Sequence, residues 1–176
     1  MARPPIRLST PDDIPAITAI YRPAVMTGLA SWEYDPPDEA EMRRRQAVIV
    51  AAGYPYLVAE LDGRVIGYAY ASSYRPRPGY RYTCENSVYV AADVQRTGAG
   101  RALLAELIDR CTASGLRQMV AVIGDSGNAA SIGLHRALGF TFCGIIHSIG
   151  WKAGRWIDGV YMQRALGRGD STPPED

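Results

Sequence analysis

The segment from Glu85 to Leu107 constrains the fold of this chain more than any other. Its first part ends in Ser-Val-Tyr-Val, a run of β-branched and aromatic residues that predicts a strand. A turn containing Gly98 and Gly100 follows. Apolar residues then recur at helical spacing on one face, at Leu103, Leu104, Leu107, Ile108 and Cys111. A strand, a tight glycine-rich turn and an amphipathic helix in this order predict an α/β arrangement.

The remaining elements extend this unit in both directions. Asp62-Gly63 between two apolar runs is a strong signal for a β-hairpin. Asp35-Pro36-Pro37-Asp38 is typical of a helix start. The predicted order is strand, two helices, three strands, helix, strand, helix and two strands. We therefore expect a central mixed, mostly antiparallel sheet of about seven strands, flanked by about four helices.

Length and composition indicate one globular domain. The 176 residues are 47% apolar and 21% charged, which is ordinary for a soluble protein. We assign residues 1–166 to a single domain and expect the polar tail, 167–176, to be disordered. A net charge of +1 implies no broad basic surface for nucleic acid.

The cysteines and histidines argue against a metal site and a disulfide framework. Cys84, Cys111 and Cys143 are widely spaced and odd in number, and His135 and His147 are the only histidines. Reduced thiols in a cytoplasmic protein are the preferred interpretation. No secretory signal opens the chain, and no apolar run approaches the ~20 residues that span a membrane.

The turn from Gln95 to Arg101 has the properties of a pyrophosphate site. Its glycines leave the backbone accessible, the helix start offers unpaired amides, and two arginines add positive charge. It is not a P-loop, because no lysine followed by serine or threonine comes after the glycines. It is not a dinucleotide fingerprint either, because Leu103 stands where a third glycine or alanine belongs. A plain helix-start turn is the alternative.

Two motifs together resemble the GCN5-related N-acetyltransferase (GNAT) superfamily. Gln-Arg-Thr-Gly-Ala-Gly-Arg-Ala-Leu after the strand is similar to its acetyl-CoA loop, and the segment from Asn128 to Phe140 is similar to its second signature. The resemblance implies the GNAT fold and acetyl-CoA as co-substrate, without a metal. It also implies the cofactor-binding residues Val88, Tyr89, Val90, Gln95, Arg96, Thr97, Gly98, Ala99, Gly100, Arg101 and Asn128.

A narrower resemblance concerns the acceptor. Four segments are similar to phosphinothricin and methionine sulfoximine N-acetyltransferases: Tyr80 to Val90, Val120 to Gly124, Leu134-His135 and Gly150-Trp-Lys-Ala-Gly-Arg-Trp156. That family transfers acetyl from acetyl-CoA to the α-amino group of glutamate-like or methionine-like analogues, by direct attack of the amine on the thioester. The resemblance also implies a homodimer with its pockets near the interface.

The resemblance suggests roles for two catalytic residues. Glu85 matches the position of the family's base, either directly or through water; the alternative is a structural carboxylate. His135 stands where the superfamily often has a tyrosine acid, so it is either the proton donor or a packed, hydrogen-bonded histidine. Tyr161 is a reserve candidate for the acid.

Arginines and tyrosines beside Glu85 are candidates for acceptor binding. A guanidinium can hold a carboxylate or phosphinate with paired hydrogen bonds. The candidates are Arg75, Arg77, Tyr80, Arg81 and Tyr82, with solvent exposure as the alternative for any single arginine. The irregular segment Trp32-Glu33-Tyr34 is either a loop with aromatic anchors or a pocket wall, and we favour the loop. The run Arg43 to Arg45 is interpreted as a solvated helix face.

Two other functions are compatible with the same motifs. The first is a transferase for a polyamine, an aminoglycoside or a protein N-terminus, against which the arginine group argues because those acceptors are cationic. The second is a non-catalytic acyl-CoA-binding sensor, which needs neither a base nor an acceptor pocket. Glu85 beside an arginine-rich break argues against the sensor.

Overall fold

The computed structural model describes residues 4–94 and 96–174. In chain order the strands and helices are β1 (Ile6–Leu8), α1 (Ile14–Met26), α2 (Glu39–Ala51), β2 (Tyr56–Leu61), β3 (Arg64–Ser73), β4 (Thr83–Val90), α3 (Ala99–Ala113), β5 (Gln118–Gly124), α4 (Ala129–Ala137), β6 (Thr141–Lys152) and β7 (Arg155–Ala165).

One seven-stranded sheet organises these elements, in the order β1-β2-β3-β4-β5-β7-β6. Each neighbouring pair is antiparallel except β4 and β5, which run parallel because α3 connects them as a crossover helix. The predicted fold, a mixed and mostly antiparallel sheet with four helices, is confirmed. Strand β4 begins at Thr83, because residues 78–80 before it form a 3-10 turn.

The helices cover both faces of the sheet. Along β2, Leu57 and Ala59 belong to the core beneath α3, whereas Tyr56 and Val58 pack with α1 and α2. This alternation places the two helix pairs on opposite faces, because successive side chains of a strand point to opposite sides. The core under α3 contains its fully buried residues Leu103, Leu104 and Leu107.

The C-terminal tail makes specific contacts in its described part, residues 167–174. The Arg117 guanidinium donates to the carbonyl oxygens of Gly169, at 2.8 Å, and Thr172, at 2.6 Å. Residues 175 and 176 lie outside the described residues. Disorder of this tail in solution and the domain boundary at 166 stay predictions. Within the described residues, none of the helices has the length and apolar character needed to cross a membrane.

Candidate active site

The two parallel strands at the centre of the sheet separate part of the way along their length. Their pairing covers Thr83 to Glu85 on β4 and Gln118 to Val120 on β5, although both strands continue beyond it. At the point of separation, the Asn86 side-chain amide donates to the Val120 carbonyl at 3.1 Å. A wedge-shaped gap therefore opens inside the sheet, and it contains a cavity of about 60 Å³.

The register of β4 determines what each residue offers to this gap. Ala91 donates its amide to Ile66 of β3 at 2.9 Å. Backbone amides alternate along an antiparallel ladder, so those of Val88 and Val90 point away from β3 and into the gap, while the Tyr89 amide points to β3. The Tyr89 side chain instead stacks on Tyr68, with ring centroids 5.1 Å apart. Of the three residues predicted on this strand, Val88 and Val90 thus direct their amides into the gap, and Tyr89 does not.

The start of α3 lies immediately beyond the gap. Gly98 caps the helix in the left-handed region, at φ 89°, and Arg96 has φ 66°. Gly100 lies against Val90, and the side chain of Arg101 is exposed. The first amides of a helix have no carbonyl partner within it and carry its positive dipole end, so this turn can bind an anion.

One predicted turn residue has a structural role in the turn. The Thr97 hydroxyl donates to the Val94 carbonyl at 2.8 Å, so it stabilises the turn itself. Gln95 lies outside the described residues.

His135 connects α4 to the point where the strands separate. Its side chain is buried, with Nδ1 2.8 Å from the Ser131 carbonyl and Nε2 3.0 Å from Oδ1 of Asn86. Asn128 caps the same helix by accepting from the Ser131 amide at 3.1 Å. Burial lowers the pKa of His135, with an opposing contribution from the Ser131 carbonyl. The imidazole is therefore mainly neutral at neutral pH, with one N–H to share between two oxygen partners.

Glu85 lies on the opposite side of β4 from His135, in a cavity of about 350 Å³. Other lining residues are Tyr21, Ser31, Trp32, Glu33, Tyr74, Arg75, Ser87, Tyr89 and Tyr161. Burial raises the pKa of Glu85, and the positive charge of Arg75 partly opposes this. A carboxylate with a raised pKa is a better proton acceptor, as a general base requires.

The structure separates the five predicted acceptor-binding residues. Arg75 lines the cavity with Glu85 and stacks on Tyr74, with its guanidinium carbon 5.2 Å from the ring centroid. Tyr80 packs edge-on against Tyr74 from outside the cavity lining. Arg77 precedes the 3-10 turn at 78–80, and Arg81 stacks on the Tyr82 ring, which faces the C-terminal tail.

The segment from Ser31 to Glu33 forms one wall of the cavity. The Glu33 carboxylate accepts from the Tyr21 hydroxyl at 2.8 Å and from two guanidinium nitrogens of Arg45 at 2.6 and 3.2 Å. Burial raises the pKa of Glu33, but these hydrogen bonds outweigh it and hold the pKa below its ordinary value. The wall is thus fixed to α1 and α2 by an ionised carboxylate.

Several site residues were missed by the sequence interpretation. Asn86 lies in the Tyr80–Val90 segment, for which the sequence interpretation gave it no role beyond the strand. Trp32 and Glu33 line the cavity, so the pocket-wall alternative describes them better than the favoured loop of anchors. Arg45 is half-buried against Glu33, whereas its neighbour Arg44 is exposed, as a solvated face implies. Within the described residues, no group of three or more His, Cys, Asp or Glu side chains could hold a metal ion.

We expect His135 to titrate below the ordinary imidazole pKa of 6.5, because burial disfavours its charged form. The measurement is a pH titration of the imidazole carbon protons by NMR. The chain has one other histidine, His147, with 76% of its side chain exposed, which supplies a solvent-exposed signal in the same spectra. A His135→Gln variant assigns the two signals. A His135 midpoint at or above 6.5 would contradict the neutral, buried imidazole.

Comparison with known proteins gives relatives along almost the entire chain. It is 56% identical over 170 residues to a phosphinothricin N-acetyltransferase from Alcaligenes faecalis, covering 97% of this chain and 86% of the relative. It is 46% identical over 162 residues to an L-methionine sulfoximine/L-methionine sulfone acetyltransferase from Pseudomonas aeruginosa, covering 92% of this chain and 94% of that one.

A solved structure extends this similarity to the fold. A GNAT superfamily phosphinothricin acetyltransferase from Sinorhizobium meliloti, in complex with acetyl-CoA, superposes with a TM-score of 0.96 at 47% identity. The superposition covers 99% of this chain and 95% of that one. Residues 16–140 also match the family model of the GNAT acetyltransferases. The gap between β4 and β5, the glycine-rich start of α3 and these relatives lead to one conclusion: this chain belongs to the GNAT family of acetyl-CoA-dependent N-acetyltransferases.

Proposed function

We propose that this protein transfers the acetyl group of acetyl-CoA to the α-amino group of a small amino-acid-like acceptor, such as phosphinothricin or methionine sulfoximine. The observation that carries the proposal is that Glu85 and Arg75 line the same cavity, where β4 leaves β5. An α-amino acid presents an amine and a carboxylate close together, which matches a proton acceptor beside a guanidinium. The names of the relatives support this acceptor class.

Acetyl-CoA fits the donor groups around the gap. The first amides of α3, with Arg96 and Arg101, would hold its pyrophosphate, and the amides of Val88 and Val90 would donate to groups lying in the gap. Asn128 would lie along the CoA arm, as the family resemblance implies. When bound, acetyl-CoA supplies an acyl group already activated as a thioester.

The residues of the chain would then divide the proton transfers between two sides of β4. Glu85 takes a proton from the acceptor ammonium, directly or through water, while Arg75 holds the acceptor carboxylate. The amides that point into the gap stabilise negative charge on the thioester oxygen. His135, hydrogen-bonded beside the gap, is the first candidate for the proton donor, through the minor fraction of its imidazole that is protonated, and Tyr161 of the acceptor cavity is the second.

An acceptor screen tests the substrate class. We expect free CoA thiol to appear when acetyl-CoA is combined with phosphinothricin, methionine sulfoximine or a related amino acid, because these place a carboxylate near Arg75. Polyamines and aminoglycosides, offered in competition, should turn over poorly, because they bring cationic groups towards the same guanidinium. Turnover of only the cationic amines would overturn the acceptor class. Tight acetyl-CoA binding without any turnover would favour the sensor.

Removal of the proposed base gives a second prediction. Glu85→Gln keeps the shape of the side chain but cannot accept a proton, so we expect turnover to fall by roughly 10² to 10⁴. Acetyl-CoA affinity, measured by calorimetry, should change little, because Glu85 lines the acceptor cavity on the other side of β4. Glu39→Gln, at an exposed position of α2, is the control.

The pH profile of the wild-type enzyme provides a check on the same residue. A base must be ionised to act, so kcat/KM should rise as pH increases through the Glu85 pKa, which burial places above its ordinary 4.5. The Glu85→Gln variant should lack that limb. Unchanged turnover in the variant would show that Glu85 is not the base.

We also propose that the chain forms a homodimer through the β6 edge of the sheet. This edge exposes a row of large apolar side chains: Phe142, Ile145, Ile146, Ile149 and Trp151. Apolar patches of this kind mark interaction surfaces in soluble proteins. Light scattering should give about twice the 19.1 kDa chain mass. Ile146→Asp should shift it towards the monomer, whereas Leu8→Asp, on the β1 edge, should not. A monomeric wild type would refute the dimer.

A cytoplasmic location completes the proposal. The three cysteines are free thiols in the structure, which fits a reducing compartment. A requirement for acetyl-CoA alone, without a metal, stays a prediction, as does the absence of nucleic-acid and membrane partners.

A further inference from the structure

The end of β6 contacts the wall of the acceptor cavity through a buried cation. Lys152 is 6% exposed, and its Nζ donates to the carbonyl oxygen of Ser31 at 2.6 Å. Ser31 is itself buried, and its hydroxyl lies 3.0 Å from that of Tyr21. A charged group this deeply buried requires strong partners, because its removal from water is unfavourable. Neither the phosphate site nor the proposed proton transfers involve Lys152.

The two residues before Lys152 contact the wall and Tyr34, the residue that follows it, by other means. Gly150 lies flat against the indole of Trp32, and a β-carbon at this position would overlap the ring. The carbonyl of Trp151 accepts from the hydroxyl of Tyr34 at 2.5 Å. Three consecutive residues of β6 therefore contact Ser31, Trp32 and Tyr34 through an ammonium, a ring face and a carbonyl.

These contacts complete the attachment of the wall. On its other side, Glu33 is bonded to Tyr21 of α1 and Arg45 of α2. The wall belongs to the connection between α1 and α2, which has no helix or strand of its own from residue 27 to 38. Without regular backbone hydrogen bonding, its position depends on these side-chain contacts.

The residue type at position 152 is unusual for this chain. Of its 19 strongly basic residues, Lys152 is the only lysine. A primary ammonium is compact and can donate from a narrow space to a single carbonyl, whereas a guanidinium is broader and suited to planar, paired recognition. The only lysine of the chain thus occupies a position that requires a narrow cation.

We propose that the Gly150–Lys152 segment is a clamp that positions the Ser31–Glu33 wall for acceptor recognition, with Lys152 as its central positioning residue. The inference rests on the proposed function, since it takes the cavity with Glu85 and Arg75 as the acceptor site. The clamp acts on the acceptor side of β4, so it should leave the acetyl-CoA site on the gap side unaffected.

Kinetics of Lys152→Met test the clamp. Methionine approximates the length of the lysine but leaves the buried Ser31 carbonyl without its donor. We expect the KM for the acceptor to rise about tenfold, as for loss of a charge-assisted hydrogen bond. The KM for acetyl-CoA should stay within about twofold, because its binding residues are not touched. Gly150→Ala should likewise raise the KM for the acceptor and leave that for acetyl-CoA unchanged, because the added β-carbon displaces Trp32.

Two further variants separate the clamp from general effects. Lys152→Arg keeps the charge and donors in a bulkier group, and we expect it to restore part of the acceptor affinity lost in Lys152→Met. Arg22→Met removes a positive charge from an exposed position of α1 and should behave as wild type.

Hydrogen–deuterium exchange tests the clamp without any acceptor. Peptides from residues 27–38 should exchange faster in Lys152→Met than in wild type or Arg22→Met, while peptides from α3 should not change. Equal rises in both KM values, or unchanged exchange at 27–38, would overturn the clamp. If wild type acetylates no amino acid but exchange at 27–38 still rises in Lys152→Met, the proposed acceptor class is contradicted, whereas the role of the clamp in positioning the wall is supported.

Discussion

The separation of β4 from β5 after Glu85 and Val120 is the constraint on which the rest of the structure depends. A buried sheet normally pairs every backbone amide, and here the pairing stops inside the sheet. The Asn86 side chain replaces the next ladder bond by donating to Val120, and His135 holds Asn86 from α4. Beyond this point the backbone of β4 is available to a ligand without unfolding any part of the core.

The same strand then separates two kinds of chemistry by its alternation alone. Glu85, Ser87 and Tyr89 face the cavity proposed for the acceptor, while Val88 and Val90 pack towards α3. A single strand can therefore present a proton acceptor to one substrate and amide donors to the other. Neither function requires a flexible element, since β4 is paired with β3 from Cys84 to Val90.

The sequence was informative where chemistry follows from local pattern. Gly98, Gly100 and the helix behind them are contiguous, so a glycine-rich turn leading into a helix could be predicted. The wall from Ser31 to Glu33 could not, because Lys152 contacts Ser31 across 121 residues and no periodicity marks either partner. The contact of Arg45 with Glu33 could not be predicted for a related reason. Neighbouring arginines on a helix look alike in sequence, and only the packing of α2 decides which of them contacts Glu33.

Charge balance in the cavity proposed for the acceptor favours an α-amino acid over a polycation. Of the two acidic side chains lining it, Glu33 is already bonded to Arg45 and Tyr21. Its charge is thus committed to holding the wall. Glu85 and Arg75 remain, one of each sign, with no hydrogen bond between them in the described structure. A zwitterion complements both groups at once, whereas a polyamine would satisfy Glu85 and place uncompensated positive charge beside Arg75.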